Sequence, residues 1–186
     1  MPISSKMSQQ IDEVAIRLLL PALIVALSGS ARAAAPVELT VVGPDWNGGR
    51  LELERRADSL GLDGSLRFTG PLPGTEVAGE LRRADVYVQL SRHEGLPLAV
   101  TEALAAGKPA VLSRAIGTCS LPEVRRFRHV VVTEPTTGDA ASAIVGAARS
   151  IAELRTAADL SAPDVANLFS WQRIAQLHVD RYEEAC

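Results

Sequence analysis

Several residue types that mark common protein classes are scarce in this 186-residue chain. It has two cysteines, Cys119 and Cys186, too few for a disulfide framework or a cysteine metal cluster, and a reducing cytoplasm permits both. Aromatic residues make up 4%, so the core must be aliphatic. The formal net charge is −3, and no overall basic field favours nucleic acid. We therefore expect a cytoplasmic protein without a nucleic-acid partner.

Long apolar runs are also missing. Leu18–Leu27, with the small residues after it, has features of a secretory signal, but Asp12 and Glu13 stand where a basic region is needed. The run is also short for a membrane span. We interpret residues 12–30 as a buried helix that is kinked at Pro21.

The motifs of several enzyme classes are absent from the sequence. There is no Walker phosphate loop, no Gly-x-Ser-x-Gly elbow and no His/Cys spacing typical of a metal site. The stretch Gly43–Gly49 is rich in glycine but lacks the Gly-x-Gly-x-x-Gly dinucleotide pattern. We therefore predict neither a bound metal nor a cofactor.

Strand and helix patterns alternate along the chain. The strand patterns are apolar without alternation, which indicates a parallel sheet covered on both faces. We predict an α/β fold, a Rossmann-like three-layer sandwich whose ligands bind beyond the carboxyl ends of the strands. Strands are predicted at 37–42, 66–70, 86–90, 108–113 and 129–133; helices at 50–60, 75–84 (capped by Thr75), 97–106, 138–158, 163–168 and 171–185 (capped by Ser170).

The stretch from Ser91 to Gly107 has the local signals of a turn followed by a helix. Gly95 permits a tight turn, Pro97 suits the first helical position, and Gly107 suits the position just past the helix end. A helix that starts directly after a strand points its free N–H groups at an anion such as a phosphate. This turn is therefore the predicted ligand-binding edge.

Two carboxylates bracket this turn. Glu94 and Glu102 suit contacts to sugar hydroxyls, although an exposed turn residue and an ordinary helix residue are the simpler interpretation of each alone. The helix start between them favours the ligand role. His93 is a candidate donor to phosphate or sugar, and Lys6 and Arg92 are candidates to neutralise a diphosphate.

The segment Glu94–Pro109 closely resembles the Glu-x7-Glu motif of the retaining GT-B glycosyltransferases of family 4, the group 1 glycosyl transferases. Four further segments follow that family's order and spacing: Leu39–Pro44, Leu66–Gly70, Ala84–Val88 and Phe169–Trp171. The resemblance implies an enzyme of the hexosyltransferase type. It also implies that the chain forms one half of a GT-B fold.

The resemblance further implies how the chain is organised. Residues 1–186 would form a single C-terminal, donor-binding domain with a first strand truncated to 1–5 and a terminal helix at 169–186. The N-terminal acceptor domain would be absent, so the isolated domain would be inactive. Peripheral membrane association would arise only through that absent domain.

The resemblance assigns roles to particular residues. Glu94 would be catalytic, beside the reacting carbon and the sugar hydroxyls of a nucleotide-sugar donor, and Glu102 would bind the ribose. Transfer would retain the anomeric configuration and need no metal, because the helix dipole and basic residues would stabilise the leaving diphosphate. The remaining donor-binding residues would be Gly95, Leu96 and Leu98 at the diphosphate or sugar, Pro71 and Leu72 at the nucleobase, Gly43, Lys6 and His93.

The chain departs from the family pattern in two loops. The first loop has Lys6 where the family has arginine and lacks the Lys-Gly pair that follows, and Ile116–Glu123 is altered. An alternative is therefore a degenerate, non-catalytic binding or interaction domain of the same fold. A third candidate is a nucleotide-sugar epimerase, but the spacing of Glu94 and Glu102 argues against it.

Overall fold

A computed structural model of the chain describes residues 38–45, 48–59 and 64–184. The predicted first-strand remnant at 1–5, the predicted helix at 12–30 and the candidate Lys6 lie outside these ranges. The strands are β1 Leu39–Val42, β2 Leu66–Gly70, β3 Tyr87–Gln89, β4 Ala110–Ser113 and β5 Val130–Thr133. The α-helices are α1 Gly49–Asp58, α2 Gly74–Arg83, α3 Leu98–Ala105, α4 Thr137–Arg149, α5 Ile151–Leu168 and α6 Trp171–Glu184.

Every strand pairing in the described residues is parallel. β1 pairs with β2, with Leu39 opposite Leu66, and β4 lies between β3 and β5, with Val111 opposite Val88 and Val131. The carboxyl ends of β3, β4 and β5 therefore meet at one edge. This arrangement confirms the predicted α/β Rossmann-like fold with parallel strands.

Helices cover both faces of the sheet. On one face, Val111 and Leu90 pack with α4, while on the other Leu112 packs with α3 and with Val165 of α5. Strand β4 is fully buried because its alternate side chains belong to different clusters. The core is aliphatic, as the low aromatic content predicts.

The helix α3 ends as its sequence predicts and begins one residue later. Gly107 has a left-handed φ of 67°, and its N–H donates to the Leu104 carbonyl at 3.0 Å while the Lys108 N–H donates to the Ala103 carbonyl at 3.0 Å. This is a Schellman cap. Pro97 is extended, with ψ 127°, and caps the helix rather than opening it.

Two predictions about the C-terminal half are wrong. One helix at 138–158 and another at 163–168 were expected, but α4 ends at Arg149 and α5 runs unbroken to Leu168. Ser150 leaves the helical conformation, with φ −102° and ψ 21°. Pro163 is accommodated within α5 because Ala158 and Val165, on either side of it, are buried in the core.

Two predicted caps have different outcomes. Thr75 is not a cap, because α2 begins at Gly74 and Pro73 occupies the capping position. Ser170 does cap α6, since its hydroxyl accepts the Arg173 N–H at 3.2 Å.

No described helix has the length and apolar character that a membrane crossing requires.

Candidate functional site

The loop after β3 is fastened to the loop after β4. Glu94 forms a parallel β-bridge with Ile116, and the Glu94 carbonyl accepts the Gly117 N–H at 2.7 Å. The Glu94 N–H approaches the Ala115 carbonyl at 3.4 Å. The backbone of Glu94 is therefore fixed at the carboxyl edge of the sheet, where ligands bind in folds of this kind.

Gly117 allows this close approach. A Cβ at Gly117 would lie 3.1 Å from the carbonyl carbon of Gly95 and nearer still to its oxygen. Only glycine fits there without a shift of the backbone. In the sequence Gly117 belongs to the altered loop Ile116–Glu123, and nothing local to it shows that another loop packs against it.

A row of polar side chains leads from β3 to the Glu94 carboxylate. The Tyr87 hydroxyl donates to Gln89 Oε1 at 2.5 Å, the Gln89 amide donates to Ser91 Oγ at 3.3 Å, and Ser91 Oγ lies 3.5 Å from Glu94 Oε1. Tyr87, Gln89 and Ser91 were not predicted as site residues. Their spacing of two places them on one side of an extended segment, which is the signal that was available.

Both predicted carboxylates influence the pKa of the Tyr87 phenol. Burial, followed by the negative charges of Glu102 and Glu94, raises the pKa of Tyr87 well above its ordinary value. Glu94 precedes α3 and is half-buried, as is Tyr87, whereas Glu102 lies within α3 and is exposed.

The turn itself is open to solvent. His93, Gly95, Leu96 and Leu98 are exposed, as is Arg92, and the side chain of Leu98 has 74% of its surface accessible. Within the described ranges, the N–H groups of Gly95, Leu96 and Leu98 make no hydrogen bond to protein. Free N–H groups at a helix start form a ready site for an anion.

The remaining predicted residues lie at the ends of β1 and β2. Gly43, with φ 136°, donates its N–H to the Gly70 carbonyl at 3.0 Å. Pro71 is exposed and Leu72 is half-buried. A cleft of about 480 Å³ opens beside them and is lined by Arg67, Thr69, Leu72, Thr75, Glu76, Gly79, Glu80 and Arg83.

An ion-pair cluster forms one wall of this cleft. Arg67 and Arg83 each approach a different oxygen of Glu80 at 2.6 Å. The hydrogen bonds from Arg67 and then from Arg83 lower the pKa of Glu80 to about 2. Because Glu80 already occupies both guanidinium groups, neither is an unpaired cation for a phosphate.

The described residues contain no group of three or more histidine, cysteine or acidic side chains placed to hold a metal. Cys119 is buried, and its thiol, whose pKa is raised by burial, donates to the Ser113 carbonyl at 3.5 Å. His129 is fully buried against the Phe127 ring, and burial lowers its pKa. Both residues belong to the core.

The fold and the site define a Rossmann-like α/β protein with its ligand edge at the carboxyl ends of β3 and β4. The profile of the glycosyl transferases group 1 family matches residues 20–148, well over half of the sequence. The chain belongs to this family. Its family relationship thus confirms the glycosyltransferase and GT-B expectations at the level of family and fold.

Relatives by sequence cover most of this chain. The D-inositol 3-phosphate glycosyltransferase of Saccharomonospora viridis is 32% identical over 153 residues, which are 80% of this chain and 35% of the relative. The MMP alpha-(1->4)-mannosyltransferase of Mycolicibacterium hassiacum is 33% identical over 71% of this chain and 32% of its own length. The chain therefore spans about a third of these relatives.

Solved structures share the fold. HepE of Anabaena, crystallised with UDP, matches with a TM-score of 0.73 and 20% identity over 90% of this chain and 44% of its own. Sucrose-phosphate synthase of Thermosynechococcus elongatus matches with a TM-score of 0.71 and 24% identity over 91% of this chain and 42% of its own.

Proposed function

We propose that this chain is the donor-binding domain of a retaining, metal-independent glycosyltransferase of the family 4 type. It binds a nucleoside diphosphate sugar, and the acceptor domain is supplied by a further part of the enzyme or by another chain. The isolated domain binds nucleotide without turning it over. We assign it to the cytoplasm on its cysteine usage.

The observation that carries this proposal is the fixed position of Glu94 in the turn that precedes α3. Its backbone is hydrogen-bonded to Ala115 and Gly117, and the charges of Glu102 and Glu94 both raise the pKa of the Tyr87 phenol. The free N–H groups of Gly95, Leu96 and Leu98 suit a diphosphate. The fold neighbour HepE was crystallised with UDP and with UDP-glucose, which supports a ligand of this class.

Each predicted residue has a role in this proposal. Glu94 contacts the hydroxyls of the donor sugar beside the reacting carbon, and Glu102 accepts hydrogen bonds from the ribose.

Pro71 and Leu72 flank the nucleobase, and Gly43 lies close to the nucleotide. His93 and Lys6 complete the diphosphate site, Lys6 from outside the described ranges. The helix start and the basic residues stabilise the leaving diphosphate without a metal.

Calorimetry with UDP, GDP and ADP tests the proposal. One of the three binds, and Glu102→Ala weakens that binding about tenfold, since a carboxylate hydrogen bond to a ligand contributes roughly 1–2 kcal/mol. Glu153→Ala, an exposed acidic residue of α5, is the matched control and leaves affinity unchanged. Absence of binding by all three nucleotides at millimolar concentration overturns the donor-site assignment.

The requirement for an acceptor domain is tested separately. Release of the nucleoside diphosphate from a bound nucleotide sugar is expected only after the second domain and an acceptor are added. If binding is present but addition of the second domain gives no transfer, the chain is instead the non-catalytic binding domain of the same fold.

A further inference from the structure

The row from Tyr87 to Glu94 starts at a half-buried tyrosine of β3 and ends at the exposed turn. Tyr87 pairs with Ala110 of β4 across the sheet, and the Ser91 side chain is 2% exposed. Ser113 is also fully buried, and its hydroxyl donates to the Ser91 carbonyl. Strands β3 and β4 therefore fix the backbone of the row at both Tyr87 and Ser91.

The hydrogen bonds of this row have one consistent direction. The buried Tyr87 phenol is protonated and donates to the carbonyl oxygen of the Gln89 amide, which leaves the amide nitrogen to donate to Ser91 Oγ. The Ser91 hydroxyl then has its own proton free for Glu94 Oε1. Each residue donates toward the carboxylate, so the row is satisfied in one arrangement.

Glutamine and tyrosine add polar atoms to a strand whose neighbours Val88 and Leu90 are apolar core residues. Polar atoms in such a place cost free energy unless they have partners. The row supplies such partners, and its hydrogen bonds end at the Glu94 carboxylate. The distances from Gln89 Nε2 to Ser91 Oγ, 3.3 Å, and from Ser91 Oγ to Glu94 Oε1, 3.5 Å, are long. Catalytic hydrogen bonds of this length commonly shorten when substrate binds.

We infer that Tyr87, Gln89 and Ser91 are positioning residues that orient the Glu94 carboxylate toward the donor sugar. This inference rests on the proposed function for the identity of the ligand. The row of hydrogen bonds is independent of the proposed function, because it joins protein groups only. Two measurements on the full chain, one without ligand and one with it, therefore test it.

The ligand-free test uses the side-chain amide signals of Gln89 in ¹H–¹⁵N NMR, assigned by their loss in Gln89→Leu. Glu94→Gln shifts these signals more than Glu102→Gln does, because the hydrogen bonds of the row lead to Glu94 and not to Glu102. In a Ser91→Ala background the response to Glu94→Gln disappears, since the connecting hydroxyl is gone. A response that persists in that background, or equal responses to the two substitutions, overturns the inference.

The ligand test compares a nucleotide sugar with its nucleoside diphosphate by calorimetry, using UDP-glucose against UDP and GDP-mannose against GDP. Ser91→Ala weakens the nucleotide sugar about 3- to 10-fold, the effect of one hydrogen bond, and the diphosphate less than about twofold. Ser91→Thr keeps the hydroxyl and restores affinity. Ser142→Ala, an exposed serine of α4, is the control that changes neither.

Equal loss of both ligands in Ser91→Ala assigns a general structural role to Ser91 and overturns the inference. Tyr87→Phe is expected to repeat the selective loss to a smaller degree, with Tyr182→Phe as the exposed control. If no nucleotide binds to the unmodified chain, the proposed function fails, and the ligand-free NMR result alone decides the positioning role.

Discussion

The N–H of Gly117 donates to the Glu94 carbonyl at 2.7 Å, and the same glycine lies against the backbone of Gly95. One residue of the β4 loop thus fixes two successive residues of the β3 loop. The position of the predicted catalytic carboxylate depends on this contact between residues more than twenty positions apart in the sequence.

Gly117→Ala tests that contact. The added methyl would overlap the Gly95 carbonyl, so we expect a loss of about 1–3 kcal/mol in the free energy of unfolding, together with a shifted Glu94 amide resonance. Urea denaturation and NMR measure the two effects. Gly146→Ala, in helix α4 with no atom within 4 Å of the added methyl, is the control and gains up to about 1 kcal/mol. Wild-type stability in Gly117→Ala would contradict the packing described.

The titration of Tyr87 reports on both carboxylates. In a Tyr182→Phe background, Tyr87 is the one remaining tyrosine, and its absorbance at alkaline pH follows its ionisation. Glu102→Gln lowers the pKa of Tyr87, and Glu94→Gln lowers it less, because Glu102 has the larger influence. Glu153→Gln leaves the midpoint unchanged. A pKa insensitive to both substitutions would mean that neither carboxylate lies near the phenol.

The raised pKa of Tyr87 also has a consequence for stability. The folded state holds the phenol proton more tightly than the unfolded state, whose pKa is near the ordinary value of 10.0. This contribution is fully present below that pH and is lost as pH rises above it. Tyr87→Phe should therefore flatten the alkaline decline in urea midpoint, and an unchanged decline would count against the assignment.

The contribution of Glu80 to the free energy of unfolding depends on pH in the acidic range. Its pKa is lowered from 4.5 to about 2, so its contribution is present above the unfolded value and is lost as pH falls from there toward about 2. Glu80→Gln should lower the urea midpoint at neutral pH, with a difference from wild type that shrinks toward pH ~2.5. Glu76→Gln, exposed one turn earlier on α2, is the control. A difference independent of pH would exclude the ion pairs as its cause.

Leu104 tests the core under the site. Its side chain is fully buried between α3 and α5, so Leu104→Ala should cost about 2–5 kcal/mol in the free energy of unfolding. Leu160→Ala, 78% exposed on α5, should stay within about 0.5 kcal/mol of wild type. Similar losses for both variants would show that the burial of Leu104 is not what stabilises the domain.

Local signals in the sequence were sufficient for much of the ligand edge. Apolar strands without alternation predicted the parallel sheet, and Gly107 predicted the end of α3 because only a left-handed residue closes that helix readily. The bounds of the strands agree with prediction to within a residue or two. The roles assigned to Glu94 and Glu102 stay predictions, which the nucleotide calorimetry tests.

Helix boundaries in the C-terminal half were not determined by local preference. Pro163 predicts a break, yet α5 continues through it because the burial of Ala158 and Val165 outweighs the lost hydrogen bond. Ser150 has no strong breaking tendency, yet the chain turns there, and α5 runs from Leu154, which packs against the α4 cluster, to Val165 in the cluster on the opposite face of the sheet. Packing between distant segments decided both.

The sequence by itself determined the fold class, the family resemblance and the turn that carries Glu94, because each depends on neighbouring residues. Only the tertiary structure decided what holds that glutamate. The Gly117 contact joins two loops through the pairing of β3 with β4, and the row from Tyr87 to Ser91 is partly buried because helices pack on both faces of β3. Such relations arise between groups that meet only after folding, so no local pattern specifies them.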